Sequence, residues 1–154
     1  PLEELRMIPG FERARFEAPL SGGKGNSMRY FNFAHVDASL KADGKTNLFC
    51  GGERAGAMVG HTEAIVSGSL AGHNAARAAN GLAPVILPET TAIGEFIGYV
   101  VKQMLDAETR NKKYTFSGSV YFERMQAKNL YSTDDDAIKA RVEAAGCTNI
   151  FSNL

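Results

Sequence analysis

The sequence predicts an α/β fold, or an α+β fold if the chain is taken as an isolated piece. Asn47 to Cys50 (NLFC) is a short apolar run that stops at Gly51-Gly52, as a buried strand does at a tight turn. A helix is expected to begin near Thr62 and to end at Asn80-Gly81. From Tyr114 to Phe122, the residues Tyr114, Phe116, Gly118, Val120 and Phe122 then alternate with Thr115, Ser117, Ser119 and Tyr121, which predicts a half-buried strand.

Two further helices complete the predicted order. Thr90 or Thr91 is expected to cap a helix with an apolar stripe at spacings of three and four residues, formed by Ile93, Phe96, Ile97, Val100, Val101, Met104 and Leu105. Such a stripe is typical either of a core or of a partner surface. Ser132 or Thr133 is expected to cap a last helix that ends at Gly146. Its first turn holds Asp134 to Asp136, which capping explains better than a metal site does.

The first 46 residues have a weaker pattern. A short helix is expected from Leu2 to Ile8, because Pro9-Gly10 would terminate it. Short strands are expected at 13–16 and 29–33. After the 62–80 helix, residues 82–87 should be extended, since Pro84 and Pro88 disfavour helix.

Composition indicates a soluble globular chain. Its 154 residues are 44% hydrophobic and 22% charged, and 17 basic residues balance 17 acidic ones. No overall field therefore attracts nucleic acid or an anionic membrane, and no apolar run has the length of a membrane span. Two cysteines, Cys50 and Cys147, make no disulfide framework. We expect a cytoplasmic protein with free thiols and no membrane partner.

The small residues of the 62–80 helix allow two interpretations. Ala64, Gly68 and Gly72 recur at fourfold spacing, so the helix could lie close to a sheet or to a flat ligand. A strand, glycines and a helix N-terminus are also how proteins hold a pyrophosphate or a flavin edge. In the other interpretation, the glycines only form turns and the alanines only pack against neighbouring residues. If Gly72 faces the strand at 48–50, Gly72→Leu should lower stability; if that face is exposed, Gly72→Ala should raise it. We expect a clear drop in stability for Gly72→Leu.

No catalytic set can be drawn from the sequence. His61, Ser67, Ser69 and His73 lie near one another, but the serines fall inside the predicted helix and no G-x-S-x-G motif exists. His73, with Ser69 and Arg77 four residues to either side, is expected at the surface. The catalytic residues are therefore unknown, and no metal site is predicted.

An ordered series of motifs carries a family resemblance. It comprises Gly52-Glu53, then Gly60 to Ala64 (GHTEA), then Gly68 to Arg77 (GSLAGHNAAR). This series resembles the closing segment of the FAD-binding domain in the folate-dependent tRNA uracil-5 methyltransferases and the related GidA family. Those families have Gly-Gln, Gly-Tyr-x-Glu-Ser/Ala and Gly-Leu-x-Ala-Gly-x-Asn-Ala-Ala-Arg in these places. The resemblance extends upstream to residues 5–12 and 37–40 and downstream through residues 88–94 to Tyr99.

The chain departs from the family pattern at several places. Glu53 stands where the family has glutamine, and His61 stands where it has tyrosine. Residues 21–27 (SGGKGNS) replace a His-Arg-Asn stretch. Nothing beyond about Val101 is recognised. These departures favour the flavin-binding frame over tRNA methylation as the retained property.

The resemblance implies the C-terminal part of an FAD/NAD(P)-binding Rossmann-like domain, extended by a C-terminal strand and helix. Residues 1–46 would return from an inserted domain, 47–112 would close the FAD-binding domain, and 113–154 would form the extension. FAD is the implied cofactor, held in the full-length protein by a set expected to be Gly51, Gly52, Glu53, Gly60, His61, Thr62 and Glu63. Because the sequence lacks the opening G-x-G-x-x-G, we expect a piece of a longer flavoprotein that does not retain FAD by itself.

The implied function is a flavin-dependent oxidoreductase or a flavin-dependent tRNA-modifying enzyme, with this chain covering the ribityl and isoalloxazine side of FAD. Its implied partners are the remainder of its own polypeptide and tRNA, and the Ile93–Leu105 stripe is a candidate surface for self-association. An alternative is a non-catalytic RNA- or protein-binding module that keeps the frame without the redox chemistry.

Overall fold

The computed structural model describes residues 1–15, 33–56, 58–110, 112–117 and 119–152. It divides into two compact units, Pro1–Asn32 and Phe33–Leu154. In the first unit, helix α1 spans Leu2–Arg6, and the Arg6 Nε donates to the carbonyl oxygen of Ala14 at 2.9 Å. This confirms the short N-terminal helix. The strands predicted at 13–16 and 29–33 lie largely outside the described residues.

The second unit is built from helices and connecting loops. Helix α2 spans His61–Ala79, α3 spans Ala92–Gln103, α4 spans Ser119–Ala127 and α5 spans Asp135–Ala144. Short 3₁₀ turns occur at Gly52–Ala55 and Ile150–Ser152. The helix predicted from near Thr62 to Asn80 is confirmed as α2. The cap of α3 is also confirmed, because the Thr91 hydroxyl accepts from the Gly94 N–H at 3.1 Å.

The predicted α/β fold class is wrong for the described residues. These contain no strand, and their extended pairing is limited to isolated bridges between Val36 and Ala42, Lys41 and Phe49, and Met58 and Tyr114. The strand expected at 47–50 is therefore a single bridge, and the described part of the chain contains no Rossmann-like sheet and no sheet of an α+β fold either. An apolar run becomes a stable strand only beside neighbouring strands. The described residues provide none, so residues 33–50 fold back on themselves through turns.

The strand predicted from Tyr114 to Phe122, and with it the C-terminal strand extension, is also wrong. Tyr114 makes one bridge, residues 116 and 117 form a turn, and α4 begins at Ser119. Tyr121 and Met125 are both buried and lie four residues apart, which is helical spacing. The strand-like alternation therefore ends at the turn, and the Tyr121 side chain beyond it is buried from a helix.

The core of this unit forms around α3. Phe96, Ile97, Val100 and Met104 are buried, whereas Leu105 is 78% exposed beyond the end of the helix. The Phe96 ring lies 4.5 Å from the ring of Phe116 and 4.8 Å from that of Tyr121, centroid to centroid. Most of the predicted stripe is thus core.

The aspartates at the start of α5 serve as its cap. The Asp134 carboxylate accepts from the N–H groups of Asp136 and Ala137, and the Ser132 hydroxyl accepts from the Asp134 N–H. The capping interpretation is confirmed, with the cap at Asp134 instead of Ser132 or Thr133. A positive φ of 66° at Gly146 follows the helix end, as predicted. In the described ranges no group of His, Cys, Asp or Glu is arranged to hold a metal ion, and no helix is long and apolar enough to cross a membrane.

Candidate functional site

The glycine loop before α2 lies against the side of that helix. A Cβ on Gly51 would be 2.8 Å from the Cα of Gly68, so only glycine allows this approach. The Gly52 N–H donates to the Ser67 hydroxyl at 2.7 Å, and that hydroxyl donates to the Glu63 carbonyl at 2.6 Å. Gly52 has a φ of +58° and contacts Ala64. The loop is therefore fixed along the first two turns of α2.

Gly51 packs against the backbone of α2 at Gly68. The space left by the missing side chains of Gly68 and Gly72 is not what allows this contact. A Cβ on Gly68 or Gly72 would meet no atom within 4 Å. Both glycines are exposed, and so is Ile65 at 68%. The expectation that Gly72→Leu would overpack a strand is therefore wrong, and the alternative of an exposed face applies.

The N-terminus of α2 holds a buried carboxylate. Gly60 is the N-cap at a φ of +129°, and the Glu63 side chain folds back over it, so a Cβ there would collide with the carboxylate. Glu63 is 4% exposed, and its Oε1 accepts from the Phe116 N–H at 2.5 Å. The glycine at 60 thus makes room for Glu63, which ties the 112–117 loop to the start of α2.

The seven predicted site residues fall into two groups. Gly51, Gly52, Gly60 and Glu63 have close contacts inside the chain. Glu53, His61 and Thr62 are exposed, with Glu53 in the 3₁₀ turn of the glycine loop and the other two in the first turn of α2. Because glycine offers no side-chain cap, the first N–H groups of α2 receive none from Gly60. The N–H groups at this end of α2 can donate to a carbonyl edge or bind an anion. The nearby Glu63 carboxylate weakens their attraction for negative charge.

Two groups of polar residues were not anticipated from the sequence. The first is Asn74, which is 0% exposed and forms three hydrogen bonds. Its Nδ2 donates to the carbonyl oxygens of Ser39 and Val85 at 2.9 and 2.8 Å, and its Oδ1 accepts from the Val85 N–H at 2.7 Å. The motif asparagine therefore joins α2 to both flanking segments. The signal in the sequence was the one side-chain amide of α2, placed between alanines, a histidine and a glycine.

The second group surrounds Glu95 on α3, which is 2% exposed. Its carboxylate accepts from Tyr121 at 2.8 Å, from Arg124 at 2.6 Å and from Lys128 at 3.0 Å. Burial would raise the pKa of Glu95, but the hydrogen bonds from Arg124, Lys128 and Tyr121 hold it below its usual value. Burial and the bond to Glu95 raise the pKa of Tyr121, so its hydroxyl remains a donor. This network attaches α4 to α3.

His73 does not lie at the surface as predicted. It is 8% exposed, and its ring meets the ring of Phe151 edge-on at 5.3 Å. Its Nε2 has no hydrogen-bond partner among the described residues. The structure does not assemble a nucleophile and base from His61, Ser67, Ser69 and His73, since Ser67 is engaged with Gly52 and Glu63.

Comparison with known proteins identifies the family. The model of the glucose inhibited division protein A family, GidA, matches residues 2–83, which contain the glycine loop and all of α2. The chain belongs to this family. No solved structure matches it.

Curated relatives cover part of the chain. It is 40% identical over 97 residues to the methylenetetrahydrofolate–tRNA-(uracil-5-)-methyltransferase TrmFO of Thermosynechococcus vestitus, covering 62% of this chain and 20% of that protein. TrmFO of Lactobacillus helveticus is 40% identical over 61% of this chain and 22% of its own length. TrmFO of Prochlorococcus marinus is 33% identical over 71% and 23%. This GidA-family chain thus spans about a fifth of the length of these relatives.

Proposed function

We propose that this chain acts as a segment of an FAD-dependent enzyme that modifies tRNA. Its glycine loop and the start of α2 would cover the ribityl and isoalloxazine side of the cofactor. The observation that carries the proposal is the exposed, uncapped N-terminus of α2, fixed beside the glycine loop in a chain that belongs to the GidA family. The methyltransferase names of the relatives support tRNA as the substrate class.

The described residues fit a flavin edge at this end of α2. Gly60, His61 and Thr62 would present backbone N–H groups to the pyrimidine edge, which carries negative charge in the anionic reduced ring. FAD, when bound, supplies the redox chemistry, and the protein positions it. Gly51, Gly52 and Glu63 would act indirectly in this site. They fix the loop and the helix end through Gly68, Ser67 and Phe116.

Glu53 requires a specific placement in this proposal. A carboxylate close to the pyrophosphate would repel it, because like charges raise the energy at short range. Glu53 is exposed, so its side chain can point away from the phosphates or accept from a ribityl hydroxyl. Either placement keeps the loop compatible with FAD.

The test is to purify the polypeptide encoded by the complete gene and record its visible spectrum. We expect flavin absorption bands, and FAD in the supernatant after denaturation. Incubation with an unmodified tRNA transcript, methylenetetrahydrofolate and dithionite then tests the tRNA step through formation of 5-methyluridine, since conversion of the methylene group to a methyl group needs the two electrons of reduced flavin. A colourless protein that takes up no added FAD would contradict the flavin proposal. Bound flavin without any change to the tRNA would contradict tRNA as the substrate and would leave the flavin proposal intact.

A second experiment uses the 154-residue chain. Titration with FAD should show weak binding or none, because the site residues contact one side of the cofactor and few of the binding contacts are in place. Tight stoichiometric binding would show that these residues suffice to hold FAD and would contradict the one-sided arrangement.

A further inference from the structure

An apolar cavity lies between α3, α4 and α5, outside the residues that the family model matches. Its volume is about 240 Å³, and its walls include Ile93, Met125, Leu130, Ile138 and Val142. An apolar cavity of roughly 150 Å³ is sufficient for benzene. This cavity therefore has room for an aromatic ring or a short alkyl chain.

A cation lies at the rim of this cavity. Arg141 lines both the apolar cavity and an adjoining polar recess, which Lys128 and Asn129 also line. Its guanidinium donates to the carbonyl oxygens of Leu130 and Asn129 at 2.6 and 2.8 Å. Among the described residues it forms no ion pair with a carboxylate. These two bonds leave part of its five-donor fork unused.

The surrounding charges also favour an anion. Lys128 shares the Glu95 carboxylate with Arg124, so two cations meet one acid there. Glu89, the carboxylate that lines the recess, is paired with Lys102 at 3.2 Å. Positive charge is therefore in excess at the rim, beside apolar walls.

We propose that this cavity binds a small amphipathic carboxylate, with its apolar part among Ile93, Met125 and Val142 and its carboxylate on Arg141. A planar guanidinium matches a carboxylate in geometry, and a charge-assisted pair beside an apolar wall is stronger than one in open water. This site is separate from the proposed flavin site and does not depend on it.

The test is calorimetric titration of the chain with octanoate and, separately, with 1-octanol. We expect saturable one-to-one binding of octanoate that is about tenfold tighter than that of octanol, which corresponds to about 1.4 kcal/mol for the charged contact. Arg141→Gln should remove this preference and leave octanol binding unchanged. Arg141→Lys, which keeps the charge, should retain most of it.

A second pair of variants tests the location. Ile138→Trp places a large side chain in the cavity and should abolish binding of both probes. Ala140→Trp, at an exposed position on the same helix outside the cavity lining, should leave binding unchanged. Thermal melts check that each variant is folded. The proposal is overturned by the absence of saturable octanoate binding, by equal affinities for the two probes, or by full octanoate binding in folded Ile138→Trp.

Discussion

Residues 33–87 and residues 88–152 are held together by different interactions. In the first region, individual polar side chains hold backbone segments together through hydrogen bonds. Asn74 joins three segments, and Ser67 holds the glycine loop against α2. In the second region, packed aromatic rings and the ion network of Glu95 join α3 to α4. The family motifs lie mostly in the first region. Several of their residues therefore have a structural role that is independent of any ligand.

The largest expected effect is at Asn74. Asn74→Ala would leave the Val85 N–H and two carbonyl oxygens without their partner, and we expect a loss of about 3–4 kcal/mol in the free energy of unfolding. The matched control is Asn80→Ala, since Asn80 is exposed and its amide makes one hydrogen bond, to the Ala76 carbonyl. Urea unfolding of both variants measures the difference. Equal losses would mean that the Asn74 amide does not hold these segments together.

The second region is tested at Glu95. Glu95→Gln removes the charge that pairs with Arg124 and Lys128, and we expect a loss of about 2–3 kcal/mol, because both cations are partly exposed. Glu89→Gln, which breaks an exposed pair, should cost about 0.5 kcal/mol or less.

The same network predicts a pH dependence. Since the pKa of Glu95 is lowered in the folded state, its contribution is present above the usual glutamate pKa and is lost as the pH falls through the folded value. Stability of the wild type should therefore decline in acid more steeply than that of Glu95→Gln. Parallel acid profiles for the two proteins would show that Glu95 is not the responsible group.

A smaller effect is expected at Ser67. Ser67→Ala would leave the buried Gly52 N–H without its acceptor and should cost about 1–2 kcal/mol. Ser69, exposed on the same helix, supplies the control, and Ser69→Ala should change stability by less than about 0.5 kcal/mol. If Ser67→Ala is as mild as Ser69→Ala, the loop is not held by this hydroxyl.

The smallest effect is of opposite sign. Gly72 lies inside α2 with open space around its missing Cβ, so Gly72→Ala should raise stability by up to about 1 kcal/mol. Gly72→Leu should also melt no lower than the wild type. A clear drop for leucine would indicate that the exposed face of α2 is covered in solution.

The positions of α2, α3 and α5 were predicted because their signals are local, whereas α4 begins where a strand was predicted. The ends of α2 follow from Gly60 and Asn80-Gly81, and the start of α3 follows from the Thr91 cap. The sheet failed because an apolar run near Cys50 cannot indicate whether neighbouring strands exist. The alternation from Tyr114 to Phe122 was misleading because a turn at 116 and 117 interrupts it and a helix begins at Ser119.

Contacts between distant segments could not be predicted in the same way. Glu95 reads as a polar residue on an apolar helix until α4 brings Arg124 and Tyr121 to it. The small residues of α2 were associated with a close approach, but the residue that must be glycine for this contact is Gly51, and a Cβ on Gly68 or Gly72 would meet no atom within 4 Å. A spacing of four residues shows which residues share one face of a helix, but it does not show which atoms pack against that face.

The function proposed above requires that the N-terminus of α2 lies against the flavin. It is tested most directly by the reduction potential of flavin in the polypeptide encoded by the complete gene. His61→Asp adds a negative charge at that end and should lower the two-electron potential by roughly 10–20 mV, since a charge at a helix terminus contributes about 0.3–1 kcal/mol. Ser69→Asp, on the exposed side of the same helix, should leave it unchanged. Equal potentials in the two variants would contradict the claim.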